Sequence, residues 1–374
     1  MRKIPNQLPK ADLCCGCEAC SEICPSSAIN MAESEGFTVP DINPEKCTGC
    51  NACERVCPII NREKIQLPGH NIKCFAGFLK KPQELKTTAS GGAATALSRA
   101  MLRQKGIVYG VAYSEDYKNA EYMECRNETE LKMLKGSKYI HAAKKELYTK
   151  IKKNLGHHEK VLVFGLPCEI GAVKSFLGKE YDNLTTCELI CHGPTSPKVQ
   201  KDFVERLEKR YHSTILEFNV RYNDDIWSNP YVYAKFQNGK IYKKPLYKTD
   251  FGYAFAHFIR PSCYHCQYKG NHRAADITIG DFWGNIETKE YYNKDGVSAI
   301  MAHTDKGLAL IHSTDDIQLY EVGYDMIRPG NPRLEEPEEE NKKTEKFRRN
   351  YKKHGLPLTC MLTRDLGDIK RLLF

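Results

Sequence analysis

Nine of the chain's 17 cysteines lie in its first 57 residues, and eight of them repeat one spacing twice. Cys14, Cys17, Cys20 and Cys24 form C-x2-C-x2-C-x3-C followed by Pro25; Cys47, Cys50, Cys53 and Cys57 form it again, followed by Pro58. Three thiolates from one tight loop fit three corners of a 4Fe–4S cubane, and in the two-cluster version of this spacing the fourth cysteine ligates the other run's cluster. The pattern therefore assigns Cys14, Cys17, Cys20 and Cys57 to one cluster, and Cys47, Cys50, Cys53 and Cys24 to a second. Gly16 and Gly49 fall inside the loops, where the backbone must pass close to inorganic sulfide. Zinc favours two separated C-x2-C pairs, and a disulfide framework needs an oxidising compartment. Cys15 stands outside the pattern and reads as a bystander.

A second set of reactive residues lies further along. The apolar run Val161-Leu-Val-Phe164 reads as a buried strand and ends in Gly165-Leu166-Pro167-Cys168. A helix is expected over 169–177, then a strand near 184–190 ending in Cys191-His192-Gly193-Pro194. Both cysteines fall just past the C-terminal ends of strands, the edge where open α/β sheets collect their sites. The remaining C-x2-C, Cys263 and Cys266, precedes Ile277-Thr278-Ile279 and Gly280-Asp281-Phe282-Trp283-Gly284. Together Cys168, Cys191, Cys263 and Cys266 make a four-cysteine site. In a chain already carrying two clusters a third 4Fe–4S is the simplest occupant, with zinc as the alternative. His192 and His265 sit beside these cysteines, where hydrogen bonding or solvent exposure is the simpler reading than ligation. Cys74, Cys125, Cys187 and Cys360 read as buried free thiols. Ser90-Gly91-Gly92, opening an Ala/Leu-rich stretch that runs to Gln104, could cradle a phosphate on its N–H groups or simply cap a helix. There is no G-x-G-x-x-G after a strand and no Walker A.

These residues need a scaffold, and 374 residues leave some 300 beyond the double cysteine run. The 41% apolar and 10% aromatic content is that of a globular protein with a sizeable core. No apolar stretch reaches the length of a membrane span, and the first residues hold no apolar signal core. Seventeen cysteines in that setting imply a reducing cytoplasm and metal ligation. Residues 1–66 carry seven Lys/Arg against nine Asp/Glu, leaving 49 against 38, a net +11, for the remainder. A cationic body suits anionic cofactors; no nucleic-acid-binding signature is present. Residues 61–73 read as a linker. Strand, loop, helix and strand then follow in α/β order through 107–113. Residues 215–247 alternate apolar and polar around Asn238-Gly239, an antiparallel extension with a hairpin turn. The loop Asn223-Asp224-Asp225 beside Trp227 reads as ordinary turn chemistry, and the charge run 335–353 as a solvated helix.

Taken in order, Ser-Gly-Gly, Gly136-Ser137-Lys138-Tyr139, Gly-Leu-Pro-Cys, Cys-His-Gly-Pro, C-x2-C and Asp-Ile-Thr-Ile-Gly-Asp resemble the beta subunit of coenzyme F-420-reducing hydrogenase and dehydrogenase, over roughly residues 72–330. Residues 1–60 match the bacterial ferredoxin module often fused ahead of it. The resemblance implies a ferredoxin domain (1–66) and a larger mixed α/β, or α+β, flavin-binding body. That body divides into an N-terminal flavin-binding part (72–150), a C-terminal part with the inner iron–sulfur site (151–330) and a charged tail helix (331–374). It implies FAD held by Ser90, Gly91, Gly92, Ala93, Lys138 and Tyr139, and an inner 4Fe–4S cluster on Cys168, Cys191, Cys263 and Cys266. The expected activity is that of an iron–sulfur flavoprotein oxidoreductase, passing electrons between clusters and FAD and exchanging hydride with an organic substrate. Its partners would be a redox protein or a small-molecule hydride donor or acceptor. The Gly280–Gly284 ending is closer to bacterial members found among surface-polysaccharide genes than to the methanogen proteins, which leaves the deazaflavin substrate open. A non-catalytic electron-transfer subunit is the alternative.

Overall fold

The two cysteine loops fold alike because equivalent residues take the same backbone turn. Gly16 (φ 67°) and Glu18 (φ 66°) in the first match Gly49 (φ 72°) and Asn51 (φ 56°) in the second. Left-handed residues of this kind turn N–H groups toward a common concavity, which favours an anionic body inside the loop. Each loop runs into one turn of helix, Ala19–Glu22 and Ala52–Arg55. Between them β1 (Ile29–Ser34) and β2 (Phe37–Ile42) pair as an antiparallel hairpin, Ile29 opposite Ile42. This computed structural model describes residues 8–67, 72–223, 227–270 and 273–368.

The body is an eight-stranded mixed sheet. Its strands are β3 (Lys73–Leu79), β4 (Ile107–Tyr113), β5 (Ala120–Cys125), β6 (Val161–Gly165) and β7 (Leu184–Leu189). A three-stranded sheet follows, formed by β8 (Ile215–Tyr222), β9 (Tyr231–Phe236) and β10 (Ile241–Pro245), and β11 (Ile277–Asp281), β12 (Ser298–Ala302) and β13 (Ile317–Val322) complete the large one. Its order is β13-β3-β12-β11-β7-β6-β4-β5. The centre, β4, β6, β7 and β11, is parallel, with β5 antiparallel on one flank and β12 antiparallel on the other. Continuous apolar runs form these strands because both faces are covered. Ile107, Tyr109, Val161 and Val163 pack on one side with helices Leu147–Gly156 and Pro167–Leu177. Val108 and Leu162 pack on the other with Ala93–Arg103 and Asp305–His312.

Several segments differ from the sequence reading. Within the expected linker, Arg62–Ile65 is a turn of helix, and Leu67 N–H donates to Arg273 O at 2.7 Å. Pro68 and Gly69 lie outside the described residues, as do Asp224 and Asp225 of the turn beside Trp227. The charged C-terminal helix starts only at Lys342, where Asn341 Oδ1 accepts from the N–H groups of Lys343 and Thr344. It continues to Thr363 through a break at Gly355 (φ 68°). One face is buried, with Phe347, Tyr351, Leu356 and Cys360 in the core. The ferredoxin-type segment shares that core: Cys15, Cys17, Ala19, Phe37 and Val56 belong to one apolar cluster with the body. Polar contacts reinforce the join. Tyr148 Oη donates to Cys17 O (2.5 Å), Tyr268 Oη to Pro58 O (2.8 Å) and Thr149 N–H to Glu22 Oε1 (2.6 Å).

Candidate iron–sulfur and cofactor site

Cys24, Cys47, Cys50 and Cys53, three thiols of one run and the last of the other, line a single hollow of about 300 Å3, its solvent mouth included, with Ile29 and Ile42. Cys50 is exposed, so this second set faces solvent. Cys14, Cys17, Cys20 and Cys57 are all buried. Backbone N–H groups already point at sulfur in both sets, Gly16 to Cys14 Sγ (3.4 Å) and Ala28 to Cys24 Sγ (3.3 Å). Burial, reinforced by Cys15, pushes the Cys14 thiol up to about 11, and burial pushes Cys57 up to about 11. Bare thiols in this setting keep their protons, which metal binding must displace.

Cys168 follows β6 in the first turn of helix Pro167–Leu177, and Cys191 lies two residues past β7. Cys263 and Cys266 come from the turn after Arg260, and all four cysteines line one half-open cleft of about 670 Å3, its solvent mouth included. Gly193 (φ 129°) lets two of these segments meet: a Cβ there would lie 3.2 Å from Cys263 Sγ. Lys269 Nζ ties the Cys191 carbonyl to that of Arg333 at 2.5 and 2.7 Å. Burial pushes the Cys191 thiol up to about 12. His192 and His265 also line the cleft, and His192 Nε2 is 3.2 Å from Glu338. Among the described residues no three His, Cys, Asp or Glu side chains converge as tightly as a single metal ion requires.

The residues expected to hold FAD gather at the same sheet edge, but many of their polar groups are already engaged. Ser90 Oγ donates to Val297 O (2.8 Å), and Ser298 Oγ accepts from Gly91 N–H (3.0 Å) and Ala93 N–H (3.4 Å). A Cβ on Gly91 would fall 2.1 Å from Gly77 O, so glycine there serves the approach of the turn to β3. A Cβ on Gly92 (φ 80°) would meet the Leu79 side chain at 2.5 Å. Lys138 Nζ donates to Met133 O, Leu134 O and Lys135 O at 2.8–3.0 Å, closing the helix Glu128–Leu134, and burial pushes it down to about 7. Tyr139 is more open to a ligand. Its ring stacks on Phe255 at 4.3 Å, and its hydroxyl accepts from Arg221 Nη1 (2.9 Å). Arg221 Nη1 also pairs with Asp281 at the end of β11 (2.7 Å), while its buried Nη2 has no hydrogen-bond partner. Trp227 and Trp283 stack on each other at 4.6 Å.

Residues 13–59 match the model of the 4Fe–4S dicluster domain, and residues 158–324 match that of the C terminus of the "Coenzyme F420 hydrogenase/dehydrogenase, beta subunit". The chain thus carries a segment matching each model, the dicluster match ahead of the beta-subunit match. Comparison with curated proteins gives no match. Among solved structures, a chain of the F420-reducing [NiFe] hydrogenase complex from Methanosarcina barkeri is similar at 18% identity, with a TM-score of 0.48 over 72% of this chain and 91% of that one.

The dicluster domain makes this an iron–sulfur electron-transfer protein, joined to a body of the beta-subunit type from an oxidoreductase family. Three residues escaped the sequence reading, two of them, Cys15 and Arg260, at the join of the ferredoxin segment and the body. Cys15 lines the inner cleft with its thiol against both Cys17 and Cys168. Arg221 has no signal beyond its place in an alternating strand, and Arg260 none beyond preceding Pro261.

Proposed function

We propose that this chain is an iron–sulfur flavoprotein oxidoreductase. Cys14, Cys17, Cys20 and Cys57 would hold one ferredoxin-type cluster, Cys24, Cys47, Cys50 and Cys53 the other, and Cys168, Cys191, Cys263 and Cys266 a third. The observation that carries the reading is the cleft. It gathers four cysteines from three distant segments at the C-terminal sheet edge, and the first ferredoxin loop forms part of its wall. An all-thiol donor set fits 4Fe–4S chemistry, and in the two ferredoxin sets backbone N–H groups are already aimed at sulfur. The exposed Cys50 makes the second set the side on which a redox partner would dock, and the buried first set the side facing the body.

For FAD the fit lies along the same edge rather than in the Ser90–Ala93 turn. There, Tyr139 offers a ring, and Arg221 Nη2 a buried donor for an anionic or carbonyl group. A bound flavin supplies the conversion between one-electron carriers and hydride that clusters lack. Asp281 and Tyr139 hold the guanidinium in place, and Phe255 fixes the tyrosine ring. The organic hydride partner is either a deazaflavin or another acceptor. The engagement of Gly91 and Ala93 N–H and of Lys138 Nζ favours the second reading, an electron-transfer subunit without flavin. FAD titration of the anaerobic full chain, followed by fluorescence quenching, separates the two. Saturable binding that weakens at least tenfold in Arg221→Met supports the flavoprotein; no binding to wild type leaves the electron-transfer subunit.

A further inference from the structure

Arg260 is 1% exposed, yet nothing in its surroundings accounts for all of its charge and donors. Nη1 donates to Thr38 O (3.0 Å) and weakly to Cys14 O (3.4 Å), and the guanidinium lies 5.0 Å from the Phe37 ring centroid. Nε and Nη2 are buried without a hydrogen-bond partner. Leaving such donors unmet costs about 1–3 kcal/mol each, more on a charged group, and an uncompensated buried cation is costlier still. The chain packs tightly to keep it there. A Cβ on Gly16 would sit 2.3 Å from Nη2, so the Gly16 backbone lies directly against the guanidinium.

Its position explains what the free donors are for. Arg260 lines the inner cleft with Cys168, Cys191, Cys263 and Cys266 while touching the Cys14–Cys17 loop of the ferredoxin module. Its own carbonyl accepts from Cys263 N–H at 2.9 Å, which anchors it beside the inner set as well. The thiolate sulfurs of a bound cluster are the anionic acceptors that such a place supplies.

We infer that Arg260 is a shared cation between the first ferredoxin cluster and the inner cluster, donating Nε–H and Nη2–H to their sulfurs and raising the reduction potentials of both. The inference rests on the proposed inner cluster for one of its two partners. Each reduction adds one electron, and so one negative charge, to a cluster beside a fixed positive charge, which stabilises the reduced form. The second ferredoxin cluster, on Cys24, Cys47, Cys50 and Cys53, lies outside this contact, so Arg260 sets the two inward clusters apart from the one at the surface.

The test is an EPR-monitored redox titration of the anaerobically loaded full chain, with iron counted on the same samples. In Arg260→Met the one-electron reduction equilibria of the first ferredoxin and inner clusters should shift toward the oxidised form by at least tenfold, about 59 mV. The third midpoint should stay put, and Arg260→Lys should keep most of the wild-type values. Arg260→Gln serves as a second neutral variant should the methionine protein load poorly. Iron lost from the first and inner sites alone in both neutral variants supports the contact with those two clusters, and the Arg260→Lys midpoints then carry the test of the potentials. Three unchanged midpoints in a fully loaded neutral variant overturn the inference. A wild-type count of about eight irons would remove the inner cluster and with it the sharing; the contact with the first ferredoxin cluster then stands only if that midpoint alone falls, and an unchanged midpoint overturns the proposal.

Discussion

Replacing Lys144 with Met should destabilise the floor of the inner cleft. Lys144 Nζ lies 2.7 Å from Glu169 Oε1, with side chains only 1% and 4% exposed. At an effective dielectric of about 20 their attraction is about 6 kcal/mol, before desolvation is charged against it. The other Glu169 oxygen accepts from Tyr122 Oη (2.7 Å) and Leu166 N–H (2.9 Å), so the carboxylate stays fixed in the methionine variant and is left buried without its cation. Removing one partner of such a pair costs about 3–5 kcal/mol. Replacing both, as Lys144→Met with Glu169→Gln, should recover part of it, because no orphaned charge is left and the amide oxygen can still accept from Tyr122 Oη and Leu166 N–H. Anaerobic urea unfolding of the loaded protein, followed by far-UV circular dichroism, reads the difference. Burial opposes the Lys144 charge, but Glu169, helped by Glu18 and Cys17, outweighs it and raises the lysine above 10.5. The lysine's contribution is therefore complete at neutral pH and fades as pH rises through that raised value. A methionine variant within about 1 kcal/mol of wild type, well short of the range for a broken buried pair, would refute the reasoning.

Gly193→Ala puts a methyl against Cys263 Sγ at a φ of 129°, which strains the backbone by about 1–3 kcal/mol; the iron count should drop by about four, one cluster, with the ferredoxin signals kept. Gly91→Ala forces a Cβ to within 2.1 Å of Gly77 O, backbone against backbone, so the melting temperature should fall as expected for about 1–3 kcal/mol of overpacking, whether or not FAD is added. Cys15→Ser should leave iron content at the wild-type value, because both neighbouring ligand sets are complete without it.

Much of the scaffold could be read from local pattern. The buried runs 107–113 and 161–164 are strands because their sheet is covered on both faces, and Gly239 (φ 80°) turns the hairpin between β9 and β10. The mixed α/β class follows from that alternation, and the dicluster module from cysteine spacing alone. Long-range contacts account for what was missed. The supposed linker is docked because its amide meets Arg273, some 200 residues away. The Ser-Gly-Gly turn looks like an open anion cradle until Ser298, on a strand about 200 residues later, takes its N–H groups. Cys15 looks idle until the first ferredoxin loop packs on Cys168. Nothing within ten residues of these positions carries that information.

The inner four-cysteine cluster is the central claim, and metal stoichiometry of the anaerobic full chain beside Cys191→Ser addresses it directly. The account predicts about twelve irons in wild type, about eight in the variant, and no stoichiometric zinc in either. About eight irons in both, with one zinc per wild-type chain that disappears in Cys191→Ser, would contradict it.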